Sequence, residues 1–558
     1  MSKFKLYPWV EIFFVSLFTL LFYSLLQKYI IPRTYHSDVI WYLEAAFHNL
    51  GDFLLWVNRY AHVYFLKIFF LFSNDPFEVG KNYWVFMFTA TTLLVYLNAR
   101  LLTPRSKFLH GILAVGFFLS INVFSNTLGV PLVDYTSMLI VLTISLVYLS
   151  SLRRGHTVKW LLILLGFLFF IAFKTKETAW VSAILLFGLM FDENNTFNVE
   201  SLKKNGLQVL IGGLIGGLLF IVLDGLLLKD PLFGLRPANL STPTGFFINA
   251  NPNLTEPGNW YNNVLFQAAP HLLAFYLISL VKQKKHAWPL ANRLFWSIPI
   301  FTILSITAFQ LTANYDLFLL RFLFPVLAIF SIAAPQFIEF KMPVSKKDQI
   351  IFWSTLILGS MFLRYVWLGT EIFSNINDLD HPQLINSLFR PIIFTLLLLL
   401  ILLVDKYKSY FVFIPIFLII GFLIQPIKKN YQALAIPEEI YTVQPRFYPF
   451  MEFEDQIEFS PEMSFYISPN VPKTNFYLSE NVDTVVAVFN LVFNVQADRE
   501  NFIFNPTPEE LMDIASNNEF DYVLLVSDDW NQYFDGSILD FCAFNEDSDE
   551  ILVLLDCR

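Results

Sequence analysis

Asp38 and Tyr42 stand four residues apart in the string Tyr35-His36-Ser37-Asp38-Val39-Ile40-Trp41-Tyr42-Leu43-Glu44, just past the first long apolar run. On a helix that spacing puts both on one face. A carboxylate held among apolar neighbours at a membrane edge gains basicity by desolvation, which suits a general base taking a proton from a hydroxyl. Asp38 also stands where a helix beginning near Val39 needs its N-cap, with Ser37 as the rival. The two roles are compatible.

A second group is Lys174-Thr175-Lys176-Glu177-Thr178, at the junction of two apolar runs. Two lysines there offer point charges to a phosphate, and snorkelling to lipid headgroups is the plainer alternative. Glu177 is placed either to pair with Lys174 or to favour a helix N-terminus, and it is also a candidate to orient a substrate. Arg321, ahead of Phe322-Leu323-Phe324-Pro325, carries a planar fork that matches a phosphate, or else an ion pair with Asp316. Asp134 opens another apolar run, where it either orients a substrate or serves the helix N-terminus. Arg59 is a further phosphate partner, and Tyr42 and His62 are candidates to orient the substrate. Asp224 is a weaker candidate, and lone histidines such as His36 and His62 are more often simply hydrogen-bonded.

These residues need elements to carry them, and composition says which. Of 558 residues, 56% are hydrophobic and only 15% charged. Soluble domains carry about 25% charged residues, so most of this chain is solvated by lipid. A span needs about 20 apolar residues, and about thirteen such runs are found, near 10–30, 83–102, 108–125, 132–151, 158–173, 177–191, 206–228, 262–281, 292–312, 318–338, 350–369, 390–404 and 409–425. The first, preceded by Lys3 and Lys5 and lacking a small-residue cleavage site, reads as an uncleaved span. Gly212, Gly213, Gly216 and Gly217 in the seventh read as a close helix-packing face.

Basic residues then orient the bundle. Arg100, Arg105 and Lys107, then Arg153, Arg154 and Lys159, then Lys203 and Lys204 recur in alternate loops, and so on to Lys406 and Lys408. Positive loops stay in the cytoplasm, so the N-terminus lies inside and everything after about Ile427 lies outside. Asp38, Lys174, Lys176 and Arg321 all fall at the outer edge. Of the outer segments, 31–82 should hold a short helix at 38–49 and an interfacial helix at 59–72 with Arg59, His62 and Lys67 on its wetter side. Segments 229–261 and 371–389 are polar and irregular in composition.

The expected fold is therefore mainly α, a polytopic transmembrane helical bundle over residues 1–427 followed by a small α/β extracytoplasmic domain over 428–558. In that domain short β-type runs fall at 465–467, 502–504, 522–526 and 551–555, and helical patterns at 482–493 and 507–517. Cys542 and Cys557 are the two cysteines, and whether they pair is left open by spacing alone. The formal charge of −9 comes from the acidic C-terminal part and, with no basic recognition patch, excludes a nucleic-acid partner. Phosphate-cradling glycine loops and metal-spaced Cys/His motifs are absent from the sequence.

Taken in order, HSDVIWYLEAA, NRYAHVYFLKIFF with VGKNYWVF, VDYTSMLIVL, KTKETAW and RFLFP resemble the C-type (GT-C) superfamily of integral membrane glycosyltransferases. The likeness is greatest to the protein mannosyltransferase and aminoarabinose transferase branch, and it covers residues 1–340. It implies a polyprenyl-phosphate sugar donor, a lipid, glycan or protein acceptor, Asp38 as the catalytic acidic residue, and Lys174 or Lys176 with Arg321 on the donor phosphate. The implied reaction is inverting and takes place at the extracytoplasmic face of the bacterial inner (plasma) membrane, among membrane lipids. Val39 stands where many members have Glu after the Asp, and Ala61-His62-Val63 replaces a frequent His-Pro pair. These departures leave open the acceptor class and whether a divalent cation takes part. A polysaccharide polymerase or ligase using a lipid-linked donor is the nearer alternative, and a multi-span lipid or solute transporter the more distant one.

Overall fold

The computed structural model describes residues 8–27, 37–48, 59–74, 76–102, 108–119, 121, 131–154, 158–190, 198–232, a few positions in 272–280, then 294–304, 323–337 and five short strands between 465 and 556. The helices in chain order are α1 (Pro8–Gln27), α2 (Ser37–His48), α3 (Tyr60–Phe70), α4 (Pro76–Leu102), α5 (Phe108–Leu119), α6 (Val133–Arg153), α7 (Lys159–Phe173), α8 (Glu177–Trp180), α9 (Val199–Leu227), α10 (Leu294–Leu304) and α11 (Phe324–Ala333). Among the described residues, Glu78–Leu102, Val133–Arg153 and Val199–Leu227 are long and apolar enough to cross a membrane by length and composition, and six shorter apolar helices accompany them. Of the expected spans, those at 350–369, 390–404 and 409–425 lie outside the described residues.

In α1 the buried positions are Glu11, Val15, Thr19 and Tyr23, one every four residues, while Phe13, Phe14, Leu17, Phe18 and Leu21 are exposed. An inverted helix of this kind, polar toward its neighbours and apolar outward, is stable where the solvent is hydrocarbon. Glu11 pairs with Arg100 at 3.1 Å and accepts from Tyr96, while Tyr23 meets Thr92 at 3.0 Å, so α1 lies along α4.

Arg100 and Arg153 lie at one end of the bundle, where the Arg153 guanidinium donates to the carbonyls of Leu101 and Arg100 at 2.9 and 3.2 Å. At the other end Tyr83, near the start of α4, reaches Leu132 and Thr136 at the start of α6. α4 and α6 therefore run in the same direction, as an intervening α5 requires.

α9 crosses α7 through glycines. A Cβ on Gly212 would fall 1.8 Å from the Ile163 carbonyl oxygen, and one on Gly166 1.8 Å from that of Val209, while Gly216 abuts Phe170. Backbones approach this closely only where side chains are absent. The packing face is Gly212 and Gly216, whereas Gly213 and Gly217 meet nothing closer than 3.9 and 3.6 Å.

The span expected at 177–191 takes a different form. α8 gives way after one turn to a 3₁₀ segment, Val181–Met190. Such a helix rises about 2.0 Å per residue instead of about 1.5 Å, so it covers more depth with fewer residues. Ten residues of 3₁₀ helix are unusual and place the chain one helical turn after Lys176 under tight winding.

The strands are β1 (Phe465–Ile467), β2 (Phe502–Phe504), β3 (Tyr522–Val526), β4 (Ala543–Phe544) and β5 (Leu552–Asp556), in the order β2-β1-β3-β5-β4. β1 pairs parallel with β2 and β3, and β5 pairs antiparallel with β3 and β4. Four strands coincide with the β-type runs in the sequence. The helical patterns at 482–493 and 507–517, and both cysteines, lie outside the described residues.

Candidate active site

The start of α6 supplies the centre of the site. Asp134 and Thr136 are both buried there, at 1% and 3% exposure. The turn joining α7 to α8 brings Lys176 onto Asp134 as a buried ion pair. A hydrogen bond from Ser137 or Thr178 to the other, 2.8 Å long, ties the same two elements one turn further in. Lys176 caps α8 in extended geometry, so its side chain leaves the helix axis and reaches α6.

α3 closes the other side. Its Ala61 N–H donates to the Lys174 carbonyl at 3.0 Å, which pins the helix to the lysine turn. His62 is fully buried, with Nδ1 at 2.8 Å from Thr136 Oγ1 and its ring edge-on to Tyr42 (4.9 Å) and Tyr83 (5.6 Å). The expectation that His62 sits on the wetter side of this helix is wrong. A helix with Tyr60, Ala61, His62, Val63 and Leu66 all buried is docked into the bundle, and the hydrogen bond to Thr136 offsets the cost of burying the imidazole. Lys67 is half-buried and donates to the Ala46 carbonyl at 3.1 Å, joining α3 to α2.

Burial pushes the His62 pKa down to about 3, helped by the charges of Arg59 and Lys176 and opposed by the Pro131 backbone. The imidazole is therefore neutral at physiological pH. Arg59, half-buried at the N-cap of α3, and Lys176 thus flank His62 as cations.

Lys174 is buried at 6% exposure, its ammonium 5.1 Å from the centre of the Tyr60 ring. Burial lowers its pKa, and the Asp224 carboxylate opposes that. Asp224, itself buried, accepts a hydrogen bond from Tyr64. Neither lysine of the junction snorkels outward, since both point into protein.

The structure therefore gathers Arg59, His62, Tyr42, Asp134, Lys174 and Lys176 around one end of the bundle. Asp38 lies one turn before Tyr42 in α2, and Glu177 is the first residue of α8; the side chains of both, and Arg321 entirely, lie outside the described residues. Phe324, three residues after Arg321 in the chain, stacks on Tyr135 at 5.0 Å, next to Asp134. Thr136, Tyr83 and Tyr64 were not legible as site residues, because a lone hydroxyl within an apolar run carries no pattern. Among the described residues no group of three His, Cys, Asp or Glu side chains could hold a metal. Among the described residues Asp134 faces Lys176.

The architecture has a solved counterpart. ArnT from Cupriavidus metallidurans, in the apo state, superposes with a TM-score of 0.54 over 98% of this chain and 98% of that one, at 14% sequence identity. The chain has the fold of ArnT. The structure of ArnT bound to undecaprenyl phosphate aligns at a TM-score of 0.45 and 14% identity over 97% of this chain and 98% of that one. The Archaeoglobus fulgidus oligosaccharyltransferase tethered with an acceptor peptide aligns at 0.42 and 12% over 92% and 69%. No protein-family model and no curated protein matches the sequence. The ArnT fold agrees with the GT-C resemblance read from the sequence strings.

Proposed function

We propose that this chain is an integral membrane glycosyltransferase that moves a sugar from a polyprenyl-phosphate donor to an acceptor hydroxyl at the extracytoplasmic face. The observation that supports it most is the pair Arg59 and Lys176 set beside the buried His62, with Lys174 buried two residues away on the same turn, on an ArnT fold. Fixed cations out of water are a strong partner for a phosphate leaving group.

In this reading Asp38 takes the proton of the acceptor hydroxyl as its oxygen attacks the anomeric carbon. The bond from that carbon to the phosphate oxygen breaks with inversion, and the polyprenyl phosphate leaves. Lys174, Lys176, Arg59 and Arg321 balance the charge that develops on it. Asp134 holds Lys176 in place, and Tyr42, His62 and Glu177 orient the sugar and acceptor.

Membranes containing the wild type or Asp38→Asn, supplied with radiolabelled polyprenyl-phosphate hexoses and pentoses, test this. One donor should be consumed by the wild type, and the variant should lose at least about a hundredfold in rate. Full activity in Asp38→Asn, or no turnover of any donor by the wild type, sinks the assignment.

A further inference from the structure

The chain of hydroxyls beside His62 favours one tautomer of the ring. Three short contacts run in series: Tyr83 OH to the Leu132 carbonyl at 2.9 Å, Tyr83 OH to Thr136 Oγ1 at 2.8 Å, and Thr136 Oγ1 to His62 Nδ1 at 2.8 Å. Each needs one proton. Tyr83 and Thr136 carry one hydroxyl proton apiece, so the third comes from His62. Tyr83 then donates to Leu132, Thr136 to Tyr83, and His62 Nδ1–H to Thr136.

A neutral imidazole that donates from Nδ1 holds a lone pair on Nε2. That Nε2 is buried with no hydrogen-bond partner, and so is the second carboxylate oxygen of Asp134, two residues before Thr136. Buried acceptors are rarely left unmet in a native site, so each calls for a donor. The donor facing His62 is better neutral than cationic, because Arg59 and Lys176 already set positive charge against that ring.

We propose that His62 is held as its Nδ1–H tautomer by Thr136 and Tyr83, and that its Nε2 receives a hydrogen bond from a sugar hydroxyl of the substrate. The Nδ1 proton stands on the contact geometry and the bare Nε2 on the burial that keeps the ring neutral, while the identity of the hydroxyl rests on the glycosyl-transfer reading above. His62 is thus a fixed acceptor that selects a hydroxyl over an ammonium at the position it faces. It is not a proton carrier.

Full-length protein with 15N-labelled histidine in detergent, with the His62 signal assigned by its loss in His62→Gln, gives the test. A protonated Nδ1 and bare Nε2 are expected from pH 8 to pH 5; a protonated Nε2, or an imidazolium at pH 6, overturns the tautomer. Short-chain polyprenyl phosphate is then added bare, or carrying a hexose or a pentose. A glycosylated probe should move the Nε2 resonance where the bare lipid phosphate does not. If no glycosylated probe does so, the sugar contact is overturned and a buried water is the occupant.

Kinetics add a readout that a merely structural role would not give. The Gln amide reaches the place of Nε2, whereas the Asn amide reaches only that of Nδ1. His62→Asn should raise the donor KM about tenfold with kcat little changed, and His62→Gln should restore most of it. Equal KM values in the two variants overturn the contact. Absence of turnover with every donor would instead fail the glycosyltransferase reading and leave the resonances to decide the tautomer.

Discussion

Lys176 and Asp134, 42 residues apart in the chain, form an ion pair in which both side chains are almost fully withdrawn from solvent, at 4% and 1% exposure. Neither residue is stable there alone. A buried charge stripped of its partner costs about 3–5 kcal/mol, whereas replacing both by apolar groups of similar size is often neutral. The pair therefore locks the α7–α8 turn to the start of α6.

Lys176→Met and Asp134→Leu should each lower the thermal unfolding midpoint in detergent, and the double variant should recover much of the loss. A cycle in which the two losses simply add would show that the pair is not coupled in the folded protein.

The glycine crossing of α7 and α9 separates residues that look alike in sequence. Gly212→Ala forces a Cβ against the Ile163 carbonyl, while Gly213→Ala meets nothing closer than 3.9 Å. Gly212→Ala should destabilise by about 1–3 kcal/mol and Gly213→Ala by well under 1 kcal/mol, as read from thermal unfolding in detergent. The same loss in both variants would contradict the crossing.

His62 makes stability depend on pH. Its folded pKa is depressed, so the unfolded chain binds more protons below its ordinary value near 6.5. The stabilisation is complete above pH 6.5 and falls away as pH drops toward about 3. Between pH 7 and pH 5 His62 should account for a loss on the order of 1–2 kcal/mol. Unfolding midpoints of the wild type should fall over that interval more steeply than those of His62→Gln, and parallel slopes would refute the assignment.

Lys174 is proposed to contact the donor phosphate while its stem packs beside Tyr60. Lys174→Gln should then raise the KM for the lipid-linked donor about tenfold or more, beyond any loss of stability from leaving Asp224 without its neighbouring cation. A loss confined to stability would make Lys174 a packing residue.

Sequence alone determined which runs are apolar, where the loops are basic, and that a lysine pair stands at a junction where loop charge does not explain it. Those are one-dimensional properties: helix length against bilayer thickness, and the side of the membrane on which lysine and arginine are retained. Together with the short β-type runs of the C-terminal part, they sufficed to place α1, α2, α4, α6, α7 and four of the strands, and to bring Asp134, Lys174 and Lys176 to notice. Tertiary structure decided how those residues are used. No pattern in the chain says that Lys176 reaches Asp134, that Gly212 rather than Gly213 meets α7, or that His62 turns inward onto Thr136 and Tyr83. Each depends on the rotation of one helix against another, and a turn of about 100° per residue exchanges a buried side chain for an exposed one.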